Sequence, residues 1–377
     1  MFSCGHCSRF LHRRSLCIIA TGIGSLIVLV SILPSLVQNV ASTADCTTSP
    51  VSQYRAVNFI DKRLMAIEAR EWLVFTTPSI YDRLNEIKSI GLNAIRLPMF
   101  WEAYIVNPTE FVSGLQEIST TADELGMCVV YDFHQSHAGS YFEPERPGGG
   151  FPSFLTDSYS PDRDGEFAFW ADYYDNNIHY NDTKIWDLHF NFIRDVIIKH
   201  VDSHPSTAGY EILNEPSVND CNQFAKIGDV HTYIGNKIRS VTLKPIYFDR
   251  AENHGCPWWN YEPYDILVVP RGVSNIVFAP HIYIEHEPTT LTYLISLSQK
   301  WQPDMPVFIG EWGQLPPDDE VTQHVVNYYL RAFESNNVGW AYWSWDPVFT
   351  FSIKDQSYQD TIYKTFLQRG IDSFYEI

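Results

Sequence analysis

Short apolar runs bounded by Gly, Pro, Asn or Asp recur along the chain, each followed by a loop and then by a segment with helical spacing. Eight such runs stand out: YRAVNFID (54–61), LNAIRLP (92–98), CVVYDFH (128–134), GYEILNE (209–215), PIYFDR (245–250), NIVFAPHIY (275–283), PVFIGEW (306–312) and GWAYWSW (339–345). Four to eight apolar residues between turn formers is the pattern of a strand buried on both faces. Between the runs, Ile80, Leu84, Ile87 and Ile90 recur at helical spacing, and Ile185–Val201 gives the clearest amphipathic helix. Val321–Phe333 predicts another, and Ile362–Phe374 closes the chain. Strands alternating with helices imply a parallel sheet. Eight repeats within one domain favour an α/β fold closed into a (β/α)8 TIM barrel over an open, doubly wound sheet. No Gly-x-Gly-x-x-Gly follows an early run, which disfavours a dinucleotide fold. One connection is long: from Gln135 to about Asn181 the periodicity is weak, glycines stand at 148–150, and aromatics are dense from Tyr141 to Tyr180. Such a loop is expected to be functional or to form a small subdomain. In a barrel it leaves the C-terminal end of strand three, the active-site face.

Ahead of this pattern, Leu16–Val37 runs without a charge, preceded by Arg9, Arg13 and Arg14 and followed by no Lys or Arg until Arg55. Its length suffices to cross a hydrocarbon core of ~30 Å at ~1.5 Å per residue. The charge asymmetry puts the N-terminus in the cytoplasm and the bulk of the chain beyond the membrane. The expected organisation is a short basic tail (1–15), a transmembrane signal-anchor (16–37), a linker (38–53) and a catalytic barrel (54–377) with an insertion at about 135–181. A signal peptide is the rival reading, because Ser42-Thr43-Ala44 offers small residues for cleavage and release. Either way the folded part is expected to be lumenal or extracellular. There disulfides form and the Asn181-Asp182-Thr183 sequon can be glycosylated. Cys221 and Cys256 both fall in loop-like contexts and are expected to pair. Cys128, inside an apolar run, is expected to be buried and free.

Acidic residues outnumber basic ones 45 to 26, a formal net charge of -19, which repels phosphate backbones and argues against a nucleic-acid partner. The chemistry gathers at the strand ends. Arg96 ends strand two, Asp132 and His134 end strand three, Asn214-Glu215 ends strand four, His281 and Tyr283 end strand six, Glu311 ends strand seven, and Trp343 and Trp345 close strand eight. A barrel converges these ends on one pocket. Burying so many ionisable groups costs several kcal/mol unless they are paired, so their common position asks for a reason. Glycoside hydrolysis needs two carboxylates flanking the scissile bond, and Glu215 and Glu311 sit across the barrel mouth from each other. Their gap is ~5–5.5 Å in retaining enzymes and ~6.5–9.5 Å in inverting ones, and spacing in sequence does not measure it. His134-x-x-His137 has metal-ligand spacing, yet strand one carries no histidine, so neither a catalytic metal nor a cofactor is expected.

Asn214-Glu215-Pro216 within GYEILNEP, followed by Ile309-Gly310-Glu311-Trp312-Gly313, resembles glycoside hydrolase family 5, the cellulase family. Arg96 in IRLPMFW, His134 in YDFHQ, His281-x-Tyr283 and the strand-eight Trp are similar to that family's remaining pattern, in the same order. The resemblance implies a retaining mechanism with Glu215 as acid/base and Glu311 as nucleophile. It further implies that Asn214 binds the sugar 2-hydroxyl, that Arg96 and Tyr283 hold Glu311, and that His134 and His281 line the cleavage subsite. Trp343 would be the stacking platform there, with Trp345 as the alternative. Asp132 is expected to be structural. DFHQ and GGGFPSFL also resemble the endoglycoceramidase branch, although Ser136 stands where that branch usually has Asp.

The expected protein is therefore a monomeric, endo-acting β-glycosidase on a β-1,4-glucan or related β-linked polysaccharide or oligosaccharide. A β-mannanase or a glycolipid hydrolase is the alternative within the same mechanism. A carbohydrate-binding pseudoenzyme is the alternative of another class, and the presence of both glutamates argues against it.

Overall fold

The computed structural model describes residues 46, 48–65, 77–142, 149–250, 252–253, 267–283, 296, 305–313, 319–348 and 352–372. Nine short strands make one parallel sheet: β1 (Arg55–Asn58), β2 (Ala94–Met99), β3 (Cys128–Phe133), β4 (Thr207–Glu211), β5 (Ile246–Phe248), β6 (Ile276–Phe278), β7 (His281–Tyr283), β8 (Phe308–Gly313) and β9 (Gly339–Tyr342). Their order is β6-β5-β4-β3-β2-β1-β9-β8-β7. The single run expected over 275–283 is broken at Pro280, which has no N–H to donate to a ladder. Its first half, β6, pairs with β5, and its second half, β7, pairs with β8. A bridge between Phe278, in β6, and Val307, just before β8, links the two ends of this order, so the sheet closes on itself as an eight-position barrel.

Alternation along each strand sorts the side chains. In β1, Ala56 points into the barrel, Val57 outward into the strand–helix layer, and Asn58 inward again. The lower interior is filled by Tyr54, Ala56, Ala94, Val130, Ala208, Tyr247, Val277, Phe308 and Ala341, all buried. Small residues on four strands leave room for the aromatic ones, as a filled barrel requires.

The helices form the outer layer. The expected helix after strand one is α1 (Ile80–Ser89), with Ser79 as its N-cap accepting from the Asp82 amide. A short helix, α2 (Trp101–Val106), leads into α3 (Pro108–Leu125). Within α3, Phe111, Leu115, Ile118, Ala122 and Leu125 are buried at helical spacing. The long connection carries α4 (Ser153–Thr156), α5 (Arg163–Tyr174) and a hairpin pairing His179–Tyr180 with Thr183–Lys184. Its aromatics extend the core of the strand–helix layer, with Phe151, Phe169, Trp170 and Tyr173 buried against Phe133 and His189. The segment predicted over 185–201 is helical throughout, as α6 (Ile185–Phe192), a π-helical stretch (Ile193–Ile198) and a last turn to Val201. α7 (Phe224–Arg239), α8 (Asp319–Ser335) and α9 (Ile362–Asp372) follow.

One cysteine expectation is corrected. Cys128 is not free: it forms a disulfide with Cys46, their Cα atoms 5.6 Å apart. Cys128 opens β3 at the barrel floor, and the chain before β1 runs under that floor. The Cys46 amide donates to Pro205 O, and the Tyr54 hydroxyl donates to Cys46 O at 2.7 Å. An apolar strand start concealed this partner. Cys221 is also disulfide-bonded, while Cys256 lies outside the described residues. So does the apolar run Leu16–Val37. Among the described residues no helix is long and apolar enough to cross a membrane.

Candidate active site

Arg96 is the centre of the barrel mouth. It is wholly buried, and every N–H of its guanidinium has an acceptor. Nε and Nη2 make a bidentate pair with Glu211 at 2.8 and 2.9 Å. Nη1 donates to Asn58 Oδ1 at 3.0 Å and to Glu311 Oε1 at 2.8 Å. Nη2 also donates to Asn214 Oδ1 at 2.8 Å and lies 3.1 Å from Asp132. Strand register produces this convergence. Asn58 pairs with Arg96 across β1 and β2, Asp132 with Glu211 across β3 and β4, and His281 with Glu311 across β7 and β8.

Glu311 is almost wholly buried, and Tyr283 donates to its second oxygen at 2.5 Å. Burial pushes its carboxyl above the usual range, while the Arg96 guanidinium pulls it back toward the anion. Glu215 is more open, with 28% of its side chain exposed. Its Oε1 lies 2.7 Å from His281 Nδ1. Burial brings His281 down to about 4, so the ring is neutral near pH 7 and its Nδ1–H can donate to the Glu215 carboxylate. Gly310 permits this packing, because a Cβ there would meet His281 Nε2 at 2.9 Å. One oxygen of Glu215, one of Glu311 and a His281 nitrogen all lie within 4.8 Å of one another.

His134 is held by Asp132 at 2.5 Å and stacks on Trp343, with ring centroids 5.5 Å apart and planes at 13°. Trp345 is placed differently. It is fully buried, its indole N–H donates to the Tyr358 hydroxyl at 3.2 Å, and the Lys354 ammonium lies over its ring. Of the two tryptophans, Trp343 is the one beside the site. Asn181 is exposed at the turn of its hairpin.

Glu211, Asn58, Gln135 and Asp249 also belong to this constellation, and reading the chain for strand ends missed them. The signal for Glu211 was present: an acid inside the apolar run GYEIL must find a cation, and Arg96 inside AIRLP is its complement. Asp249 follows β5 and accepts the Glu215 backbone N–H at 3.1 Å. Asp132 fastens Arg96 and His134 together, which is a part in holding the site.

Among the described residues, two donor sets are close enough to share a cation: Glu211, Asp249 and His281, and Glu215, His281 and Glu311. Each borrows a glutamate that the Arg96 guanidinium already neutralises, so a divalent ion would sit against a fixed positive charge. His137 is engaged by Arg163 and Glu166, away from His134.

Three carboxylates, those of Asp132, Glu211 and Glu311, surround the one guanidinium, so their protonation is linked to folding. Burial pushes Asp132 up to about 7, against the pull of Arg96, from an ordinary 3.8. The folded chain therefore keeps this proton after the unfolded chain has lost it. The stability so contributed is full below about pH 4 and is lost as pH rises through about 7. Wild type is expected to lose several degrees of Tm relative to Asp132→Asn between pH 4 and 7. Calorimetric scans across that window check it, and a difference that stays flat or grows the other way refutes the assignment.

A closed parallel barrel with two carboxylates facing across its mouth defines the class: a glycosyl hydrolase. Residues 58–348 match the family model Cellulase (glycosyl hydrolase family 5), and the chain belongs to that family. Among solved structures, endo-glycoceramidase II from Rhodococcus sp. superposes with a TM-score of 0.64 at 16% identity, covering 84% of this chain and 78% of that one. An endogalactoceramidase gives 0.60 at 19% identity, covering 84% and 73%. A β-glucanase from Saccharophagus degradans gives 0.55 at 16% identity, covering 85% and 88%. At these identities the likeness is one of fold.

Proposed function

We propose that the chain is a retaining β-glycosidase working by double displacement, with Glu215 as acid/base and Glu311 as nucleophile. The observation that carries this reading is the closeness of the two carboxylates, an oxygen of each within 4.8 Å. An inverting pair stands ~6.5–9.5 Å apart to admit a water, whereas a retaining pair stands ~5–5.5 Å apart. The surroundings divide the roles. Glu311 is fixed by a cation and a phenol, which suits a carboxylate that must stay aimed at the anomeric carbon. Glu215 is more open and rests on a neutral imidazole, which suits a group that gains and loses a proton.

In the first step Glu311 attacks the anomeric carbon, and Glu215 gives its proton to the departing glycosidic oxygen as that bond breaks. Glu215 then removes a proton from water, which attacks the same carbon and frees Glu311. The Asn214 amide gives one N–H to Gln135 O at 2.9 Å. An amide nitrogen has two, and the second serves the sugar 2-hydroxyl.

The substrate is a β-linked glycan, with a β-1,4-glucan as the first reading. A ceramide glycoside is the second, supported by the likeness to ceramide glycosidases and by the DFHQ and GGGFPSFL segments around the long connection. The same reading puts the barrel beyond the membrane, anchored or released, where Cys46–Cys128 can form and Asn181 can carry a glycan.

The test is to hydrolyse a β-1,4-glucan, a β-mannan and lactosylceramide in detergent, following the first-formed anomer by NMR. A 2-deoxy-2-fluoro glycoside should then trap Glu311 as an ester visible by peptide mass spectrometry. A first-formed α-anomer, or a label on another residue, sinks the proposal. Turnover of one substrate alone names the substrate class.

A further inference from the structure

Gln135 follows β3 and is buried, and its amide is given over to the backbone that carries the acid/base. Nε2 donates to the carbonyls of both Asn214, at 2.7 Å, and Glu215, at 2.8 Å. Oε1 accepts from the Ala138 amide at 2.7 Å, and the Gln135 carbonyl accepts from Asn214 Nδ2 at 2.9 Å. These contacts close on a residue in a strained conformation. Glu215 has a φ of 39°, in the left-handed region that side chains with a Cβ rarely adopt. Such a conformation persists only where its surroundings over-determine it. Here Asp249 holds the Glu215 N–H while Gln135 holds the Glu215 carbonyl, so both ends of the residue are fixed.

The same glutamine seats the long connection. Ser136 N donates to Gly149 O at 2.9 Å. Gly150 packs so closely on Gln135 that a Cβ there would stand 2.9 Å from the Gln135 Cβ and 2.6 Å from Ala138 O. Glu102 ties both limbs of the loop by accepting from the Ser140 and Gly150 amides.

We propose that Gln135 is a positioning residue for general acid catalysis: its amide clamps the Asn214–Glu215 turn and makes the direction of the Glu215 carboxyl depend on the seating of the 135–181 connection. This rests on the acid/base reading of Glu215. A loop of this kind, usually credited with substrate contact, here also acts through the backbone on the proton donor.

The test uses Gln135→Met, which removes the donor, and Gln135→Asn, which keeps the amide but falls short of two carbonyls. Both are compared with wild type and Glu215→Gln on aryl β-cellobiosides or aryl β-lactosides of graded leaving-group acidity. A displaced acid matters only where the leaving group needs a proton. The kcat/KM for the 2,4-dinitrophenyl glycoside is therefore expected to stay within about threefold of wild type, while that for the phenyl glycoside falls about 100-fold. Added azide is expected to raise kcat on the dinitrophenyl substrate in both variants by intercepting the glycosyl-enzyme. A loss equal across all leaving groups, or no loss, overturns the proposal and leaves Gln135 a structural residue. The same uniform behaviour in Glu215→Gln instead overturns the acid/base reading itself. If Gln135→Met does not fold, the leaving-group slope of Gln135→Asn decides alone.

Discussion

Glu311→Gln is expected to lower kcat by about 10⁴-fold or more on every substrate, whatever its leaving group. The replacement changes one atom and little shape. Its amide oxygen can still accept from Arg96 Nη1, now at 2.8 Å from Glu311 Oε1, and Tyr283 can turn its hydroxyl to accept. What it cannot do is form the glycosyl ester. Stability should not suffer, because burial already disfavours the Glu311 charge, and two carboxylates remain on the guanidinium. The expected pair of results is thus a near-total loss of turnover with a Tm at or slightly above wild type. Initial rates on a dinitrophenyl glycoside beside a thermal melt check both. Activity within tenfold of wild type in a folded variant excludes Glu311 as nucleophile. Glu215→Gln differs in kind: its loss should be ~10²–10⁴-fold on poor leaving groups and shrink as the leaving group improves.

The sequence made the frame of this site legible where local pattern and final position obey the same rule. A buried parallel strand is apolar on both faces, so an ionisable residue inside it is conspicuous, and Arg96, Asp132 and Glu311 were visible for that reason. The strand boundaries were off by a few residues: of the polar residues expected to end strands, Arg96 and Glu311 lie inside their ladders, whereas His134, Asn214 and Glu215 lie just beyond theirs. Asn214 and Glu215 follow β4, which ends at Glu211. The break at Pro280 was written in the sequence, yet closure through two half-strands depends on which edges meet, a long-range fact. The same holds for Cys46 and Cys128, whose partnership needs the chain to pass beneath the barrel floor. Gln135 was invisible for a different reason. It contacts backbone carbonyls, and a backbone partner leaves no complementary residue type to find. Trp345 shows the converse: its type suits sugar stacking, but only burial against Tyr358 and Lys354 distinguishes it from Trp343.

Arg96→Met is expected to be the most damaging single change to the fold among the site residues. The guanidinium serves five acceptors: both oxygens of Glu211, and one each of Glu311, Asn58 and Asn214. It also stands beside Asp132. Methionine fills part of the volume and satisfies none of these. Removing one partner of a buried ion pair costs ~3–5 kcal/mol, because the other charge is left unpaired in a dry site. Here three carboxylates lose their common cation, and the chain can fold only by keeping protons on them. Their folded-state affinities for protons, already raised by burial, should rise further, so the variant's stability should fall more steeply than wild type's as pH climbs from about 4 to about 7. Arg96→Lys separates charge from geometry. Lysine restores the positive charge but offers three donors from one point, and cannot reproduce a fork that spans Glu211 on one side and Glu311 on the other. It should recover part of the stability and little of the activity, since Glu311 would lose the contact that aims it. Urea unfolding at pH 5 and pH 7, with rates measured on the same samples, tests this. Arg96→Lys with full activity would mean that charge alone holds Glu311, whereas Arg96→Met with wild-type stability at pH 7 would mean that the cluster does not depend on its cation.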